Sequence, residues 1–297
     1  MIRGICTPCR AVKREDVRVR LNLLQEIKGK YPIGFEIVGP IDDFFYEREL
    51  IISNIKEIKR ELDFLIIHSP VERENYFSGN TNLSTEKGME TLKSVYGLAR
   101  MIGAEQVIVH AEVLSFTPLI SERQKKKENL KENLKRLVIR PAVKLSLENM
   151  PYPLMGDVMY SYEDMVWDPF FADPFELYEF VSEIGIFMTF DTCHWGTLGF
   201  PVSLKTIVNK FKEKISHFHI SDCWGHWIPG TSVFKEGLVP GDGFLGEEQF
   251  RELFSFFKND SWNTMNYTIN LEVNDSDFKN PKESRESIRR ILSWLSC

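Results

Sequence analysis

The stretch "GIFMTFDTCHWGTLGF", residues 185–200, passes from apolar residues into an aspartate, a histidine and two glycines. Its first half has the composition of a strand that is buried on both faces. Its second half offers side chains that can bind a metal or start a helix. Asp191 alone could be an ordinary turn residue. The fold is decided by whether other apolar runs end in the same way.

Seven further runs of this kind occur, rich in isoleucine, valine, phenylalanine and leucine, at 2–6, 33–39, 63–69, 106–113, 143–150, 215–222 and 267–274. Charged segments with apolar residues at three- and four-residue spacing lie between them and predict helices. These segments are 11–30, 45–62, 84–104, 123–139, 173–185, 203–214, 246–258 and 281–295. Eight strand–helix pairs predict an α/β protein with a single (β/α)₈ barrel domain over residues 1–297.

The composition indicates which kinds of partner and which cellular compartment to expect. The chain has 297 residues, a net charge of −6 and 43% hydrophobic residues. An acidic balance argues against broad, nonspecific attraction to nucleic acid or to an anionic membrane. No apolar run has the length needed to cross a bilayer, and the N-terminus lacks a signal-peptide core. Five cysteines without a disulfide-scaffold spacing favour a cytoplasmic protein, with Cys6 and Cys9 as ordinary thiols.

Six of the apolar runs, from the third to the eighth, finish with a residue whose side chain can bind a metal ion. These residues are His68, His110, Glu148, Asp191, His219 and Glu272. All strands of a parallel barrel point the same way, so the six side chains are expected at one rim, where barrel enzymes have their active sites. A random turn residue explains one such position but not six.

The alternation of side chains along a strand supports convergence of these groups. Glu148 shares its face with Ser146, and His219 shares its face with His217. If these faces look inward, three carboxylates meet His219 at the barrel mouth, which is costly unless a cation neutralises them or their pKa values rise. Lys144 has the same parity, but it lies roughly 13 Å from Glu148 along the strand. A divalent ion is therefore favoured over a salt bridge, and the mixed ligands suit Mn²⁺, Co²⁺, Zn²⁺ or Fe²⁺.

The order of the segments "HSP", "VHAEV", "LENM", "DTCH", "HFHISD", "GDG" and "LEV" resembles the xylose-isomerase-like barrel superfamily. That superfamily includes sugar isomerases and epimerases and the endonuclease IV abasic-site nucleases, and the resemblance covers nearly the whole chain. It implies that one metal ion is bound by Glu148, Asp191, His219 and Glu272. His68 and His110 resemble ligands of a further zinc in the nuclease, but histidines also occur there in sugar-acting relatives. One ion and two ions both remain open.

The loop after the seventh strand departs from the nuclease pattern. The nuclease has an Asp-x-His pair there, which completes a third zinc site. Counted back from "GDG" at 241–243, this chain has Lys235 and Gly237 at those positions. His226 is nearby in the sequence but stands at neither position. A complete trinuclear site is therefore not expected.

The favoured function is a metal-dependent isomerase or epimerase of a sugar or sugar phosphate, which moves a proton through a metal-stabilised enediolate. By resemblance to the epimerases, Glu148 and Glu272 are the proton acceptor and donor, and His194 contacts the substrate. The alternative enzyme is an endonuclease IV-like phosphodiesterase at abasic sites, for which DNA is the partner. A barrel that binds a ligand or a metal without turnover is a third hypothesis, because a fold alone does not establish chemistry.

Further contacts with the substrate are expected near the rim. Glu36, in "GFEIVG", stands where sugar-acting relatives often carry glutamate, and a structural role is equally open. Aromatic residues could form apolar walls against a sugar or pack onto the rim; they are Tyr152, Trp167, Trp195, Trp224 and Trp227. A homo-oligomer is compatible with the resemblance, although no interface can be identified in the sequence.

Overall fold

The computed structural model describes eight ranges of the chain: 2–70, 81–111, 120–138, 143–151, 170–199, 202–225, 235–258 and 267–296. The predictions for Tyr152, Trp167, His226 and Trp227 lie outside these ranges. No helix in the described ranges combines the length and the apolar character needed to span a bilayer.

Eight parallel strands in these ranges close into a barrel, which confirms the predicted fold. In chain order they are β1 (Ile2–Cys9), β2 (Ile33–Ile37), β3 (Phe64–His68), β4 (Gln106–Val109), β5 (Lys144–Glu148), β6 (Phe187–Asp191), β7 (Ile215–His219) and β10 (Tyr267–Asn270). Each strand pairs with its neighbour in the sequence, and β10 pairs with both β7 and β1. Two further strands, β8 (Asp222–Trp224) and β9 (Lys235–Leu238), form an antiparallel pair after β7.

Eight helices correspond to the predicted helical segments: α1 (Arg14–Gln25), α3 (Arg48–Ile58), α4 (Glu86–Ile102), α5 (Ile120–Val138), α6 (Pro174–Ile184), α8 (Leu204–Phe211), α9 (Gly246–Phe257) and α10 (Lys282–Ser296). A 3₁₀ turn, Lys59–Glu61, follows α3. Two short helices were not predicted, α2 (Ile41–Phe45) and α7 (Thr192–Gly196). Both follow barrel strands, and α7 occupies the stretch directly after Asp191.

Local sequence explains where several helices begin and end. The Asp173 side chain accepts a hydrogen bond from the backbone N–H of Phe175, and Pro174 takes the first turn of α6. Ser203 caps α8 in the same way. Helices α4 and α6 end at Gly103 and Gly185, which have φ values of 70° and 78° and so adopt the left-handed conformation that glycine tolerates.

Phe64, the first residue of β3, packs inside the lower end of the barrel with Cys6, Ile66 and Ile108. Its ring lies so close to Gly4 and Gly34 that a Cβ atom on either glycine would approach it to 2.3 Å and 2.6 Å. Above this ring, Gln106 donates a hydrogen bond to Ser146 Oγ at 2.8 Å, and Ser146 Oγ is 2.7 Å from Thr189 Oγ1. The interior below the rim is therefore filled by the chain's own side chains.

Candidate metal centre

The strand register brings four of the predicted ligands together at the barrel mouth. Glu148, Asp191 and His219 are the last residues of β5, β6 and β7, and Glu272 lies two residues beyond β10. One ligand atom from each of the four lies within 4.8 Å of the others. Glu148, Asp191 and His219 are at most 1% exposed, whereas the Glu272 side chain is 39% exposed.

The potential metal-ligand atoms lie close together, but some of them form no hydrogen bond with one another. His219 Nδ1 is 3.2 Å from Glu148 Oε1, 3.6 Å from Asp191 Oδ2 and 2.9 Å from Glu272 Oε2. Nevertheless, neither Glu148 Oε1 nor His219 Nδ1 has a hydrogen-bond partner among the described residues. Buried polar atoms without partners are costly, and the three carboxylates repel one another unless a positive charge lies between them. The set fits a divalent cation with carboxylate and imidazole ligands.

Glu36 lies behind this group and orients its histidine. Glu36 Oε2 is 3.1 Å from His219 Nε2 and 2.9 Å from His217 Nε2. A carboxylate accepts, so both Nε2 atoms donate, and His219 Nδ1 is the nitrogen that faces the other ligands and would bind a cation once deprotonated. The Thr268 hydroxyl completes the arrangement by donating to His217 Nδ1 at 2.6 Å. A carboxylate behind a ligating histidine is a common way to fix its tautomer and orientation.

The pKa shifts report the crowding of opposite charges around Glu148. Burial raises the pKa of this carboxyl, but His219 and His110 outweigh burial and hold the pKa well below its usual range. Burial lowers the pKa of His219, but Glu148 and Glu272 outweigh it and raise the pKa well above its usual range. Burial also lowers the pKa of His194, but Asp191 and Glu148 outweigh burial and raise this pKa to about 10. Both shifts favour protonated imidazoles beside ionised carboxylates when no cation is bound.

The second oxygen of Glu148 faces a separate pair of histidines. His68 Nε2 and His110 Nε2 lie 3.1 Å and 3.3 Å from Glu148 Oε2, and the two rings are perpendicular with centroids 4.9 Å apart. His68 Nδ1 donates to the Ser69 carbonyl at 2.8 Å, so Nε2 is the ring nitrogen that faces Glu148. Neither ring nitrogen of His110 has a hydrogen-bond partner among the described residues. Glu148 could therefore bridge two cations, one at each oxygen.

Asp191 serves the local structure and the candidate centre at once. Its Oδ1 accepts a hydrogen bond from the backbone N–H of His194 at 2.8 Å and so caps α7, while Oδ2 faces His219. The Asn149 side chain bonds the backbone N–H and C=O of Asp191 at 2.8 Å and 3.0 Å, which ties β5 to β6 at the rim. His194 Nδ1 donates to the Asn149 carbonyl at 2.7 Å, which leaves Nε2 for a ligand.

A cavity of about 600 Å³ opens above this centre, a volume typical of small-molecule sites. One wall is the segment 38–42, which follows β2, and the lining also contains the three carboxylate ligands Glu148, Asp191 and Glu272 together with His68, His110 and His194. Glu236, Gly237 and Asn274 form a second part of the wall. The ligands are therefore reachable by a molecule of the size of a monosaccharide.

Asp222 anchors the connection that carries this second wall. Its buried carboxylate accepts hydrogen bonds from five backbone N–H groups, those of Cys223, Gly241, Gly243, Leu245 and Gly246, at 2.8–3.2 Å. A Cβ atom on Gly243 would come within 2.2 Å of the Cys223 carbonyl oxygen. The "GDG" motif thus wraps around Asp222, and the pairing of β8 with β9 starts from this anchor.

The structure places three expected substrate contacts away from the cavity wall. Glu36 is fully buried beneath His219. Trp195 is 3% exposed and packs in the core, with its ring centroid 6.3 Å from that of Phe190. Trp224 is 55% exposed and contacts Phe244, with ring centroids 4.8 Å apart. In the described ranges the cavity lining includes none of the three.

Sequence reasoning missed Asp42, Asn149, Glu236 and Asn274. Asn149 could have been predicted, because "LENM" places an amide directly after Glu148 at the end of a strand. Asp42, Glu236 and Asn274 belong to connecting segments, where no alternation of side chains indicates the direction in which a residue points.

A family model described as a xylose isomerase-like TIM barrel matches residues 33–295. The fold is shared with a D-tagatose 3-epimerase-like protein at a TM-score of 0.66 and 17% identity, over 99% of this chain and 97% of that one. D-psicose 3-epimerase gives a TM-score of 0.64 at 13% identity, over 99% and 100%.

Endonuclease IV from Thermus thermophilus is similar to the same degree, with a TM-score of 0.63 at 17% identity over 99% of both chains. No curated protein matches the sequence. Structural neighbours of both branches thus share the architecture at low identity, and the family match spans most of the sequence. The chain belongs to the xylose isomerase-like TIM barrel family.

Proposed function

We propose that the protein is a divalent-metal-dependent isomerase or epimerase of a sugar or sugar phosphate. The observation that carries the proposal is the convergence of Glu148, Asp191, His219 and Glu272, three of which line a cavity of monosaccharide size. Two of these carboxylates, Glu148 and Glu272, come from strands separated by β6 and β7, so they approach a bound molecule from different directions. The epimerases among the structural neighbours are consistent with such chemistry.

A divalent cation bound by these four residues would act as a Lewis acid toward the carbonyl of a ketose or aldose. The side chains supply the rest. Glu148, whose pKa lies well below its usual range, is ionised at neutral pH and is suited to accept the proton on the carbon beside the carbonyl. Glu272 is suited to return a proton to that carbon or its neighbour. His194 Nε2 would orient a substrate oxygen, because Asn149 already holds Nδ1.

Solvent exchange tests this proposal directly. The metal-loaded protein is incubated in D₂O with a panel of free and phosphorylated ketoses, and deuterium at carbon is followed by NMR. We expect incorporation into at least one ketose, reduced by about 10²–10⁴-fold in Glu148→Gln and in Glu272→Gln. Glu213→Gln, an exposed change before β7, is the matched control. No incorporation across the panel, or equal incorporation in Glu148→Gln, would exclude the proposal.

Phosphodiester cleavage at abasic sites is the second candidate. It is favoured by the His68–His110–Glu148 group, which could hold a second cation. It is disfavoured by the segment that corresponds to the third zinc site, where Lys235 is exposed and Gly237 has no side chain to offer. A metal-loaded sample incubated with an abasic-site duplex separates the candidates. Rapid nicking that is lost in Glu148→Gln would make the nuclease the better account.

A further inference from the structure

Two parts of the cavity lining are held to the barrel in different ways. The candidate metal ligands Glu148 and Asp191 are the last residues of their strands, so the pairing of the sheet fixes their backbone. The segment 38–42 lies beyond the end of β2. Its last backbone bond to the neighbouring strand runs from the Val38 N–H to the Cys9 carbonyl, at 3.1 Å. The position of this wall therefore depends on contacts outside the sheet.

Asp43, the residue directly after this wall, forms a bidentate ion pair with Arg10. Arg10 Nε donates to Asp43 Oδ2 at 2.6 Å, and Arg10 Nη2 donates to Asp43 Oδ1 at 2.8 Å. The Asp43 side chain is 5% exposed and the Arg10 side chain is 44% exposed. Among the described residues, no other side-chain hydrogen bond joins residues 38–43 to another part of the chain. Removal of Arg10 would leave a buried carboxylate without its partner, which is costly.

The ion pair connects a fixed point of the barrel to the backbone of the wall. Arg10 directly follows β1, and the next residue, Ala11, is 1% exposed. The Ala11 carbonyl accepts a hydrogen bond from Asn54 Nδ2 at 2.8 Å, which ties this point to α3. At the other end, a Cβ atom on Gly39 would lie 2.7 Å from Asp43 Oδ2, so the carboxylate packs against the wall itself. The position of Arg10 is thus passed on to the cavity lining.

We propose that Arg10 and Asp43 are positioning residues for the substrate: their ion pair holds the wall 38–42 where it contacts a bound sugar, and so sets the affinity for that sugar. The class of ligand in this inference rests on the proposed function. The valine, proline and isoleucine side chains of the wall suit the C–H groups of a sugar, whereas the metal ligands suit its oxygens. A wall displaced by about 1 Å loses its contacts with the sugar. Loss of the ion pair should therefore weaken sugar binding and leave the metal and the chemical step intact.

Exchange kinetics and titration calorimetry on the metal-loaded, full-length protein test this role, with the ketose of the D₂O panel that binds most tightly. In Arg10→Gln and in Asp43→Asn we expect KM and Kd to rise about tenfold, while kcat and the Mn²⁺ affinity stay within about twofold. The double variant should bind no more weakly than the weaker single variant, because both residues act through one ion pair. Arg251→Gln, which breaks an exposed ion pair with Glu247 on α9, is the matched control and should leave KM within about twofold.

A purely structural role would lower the free energy of unfolding without separating KM from kcat. Four results would overturn the inference: an unchanged Kd in both single variants, a fall in kcat as large as the rise in KM, additive losses in the double variant, or a panel in which no ketose binds. Failure here is distinguishable from failure of the proposed function. Weakened ketose binding in both variants without deuterium exchange would remove the isomerase and keep the positioning role. Exchange with an unchanged KM in both variants would do the reverse.

Discussion

The two ends of the barrel interior are built from the same strands but differ in how their buried polar groups are satisfied. At the lower end, the Phe64 ring fills the space that Gly4 and Gly34 leave open, and the polar groups just above it bond one another. At the rim, buried Glu148 Oε1 and His219 Nδ1 have no hydrogen-bond partner in the described ranges. The lower end is thus completed by the chain itself, whereas the rim has unpartnered ligand atoms that a bound cation would satisfy.

Removing the Phe64 ring should destabilise the lower end of the barrel without affecting the candidate metal centre. Phe64→Ala empties a site that is 5% exposed, and we expect it to lower the free energy of unfolding by about 3–5 kcal/mol. The affinity of the folded protein for Mn²⁺ should stay within about twofold of the original value, because no metal ligand is touched. Urea unfolding and calorimetry measure the two quantities. Phe45→Ala, at a residue that is 44% exposed, is the matched control. A large loss of metal affinity in Phe64→Ala would show that the two ends are not independent.

Asp191→Asn should have the opposite effect, with little change in the free energy of unfolding and a large loss of Mn²⁺ affinity. Asparagine caps a helix as well as aspartate does, so α7 and the stability of the metal-free protein should be retained to within about 0.5 kcal/mol. The loss of a charged ligand should weaken Mn²⁺ binding by more than the roughly 100-fold that an outer partner costs. Thermal unfolding with and without metal reads both effects. Unchanged metal affinity would remove Asp191 from the ligand set.

Glu36→Gln sharpens the comparison, because Glu36 lies between the two ends. The amide can still accept one hydrogen bond but no longer holds His217 and His219 with a full charge. We expect metal affinity to fall by about 10–100-fold, as for other partners of ligating histidines. Turnover at saturating metal should change far less than the affinity. A fall in turnover with intact affinity would instead indicate direct contact with substrate.

A smaller effect should come from pH. Carboxylates outweigh burial and raise the pKa of His219 well above its usual range in the metal-free protein, so a bound cation must displace that proton. Metal affinity should therefore rise about tenfold per pH unit for each proton released, until the pH passes the raised pKa. Calorimetry at pH 6, 7 and 8 in buffers of different ionisation enthalpy measures both the slope and the proton release. An affinity that is flat across this range would contradict the interpretation of the rim.

The sequence predicted the barrel because two simple periodicities alternate eight times, and it predicted the rim because strand polarity places all strand ends at one side. The six strand-end residues follow from these rules. Asp191 Oδ1 caps α7, as the turn interpretation predicts, and its Oδ2 faces His219, as the untested ligand prediction requires.

The remaining features depend on how connecting segments dock, which no local pattern encodes. Asp222 binds backbone N–H groups as far as 24 residues along the chain, and Asn274 holds Glu236 from a distant segment. Trp195 follows a histidine that faces the cavity, yet the turn of α7 directs its ring into the core. The short helices and the β8–β9 pair arise from the same long-range contacts.

The central claim is that a divalent cation lies among Glu148, Asp191, His219 and Glu272. Anomalous diffraction from crystals grown with Mn²⁺ tests it most directly. We expect a strong peak at about 2.0–2.3 Å from oxygen or nitrogen atoms of all four residues, with a second peak between His68 and His110 if Glu148 bridges two ions. An anomalous map without a peak at the first position, in crystals saturated with metal, would contradict the account.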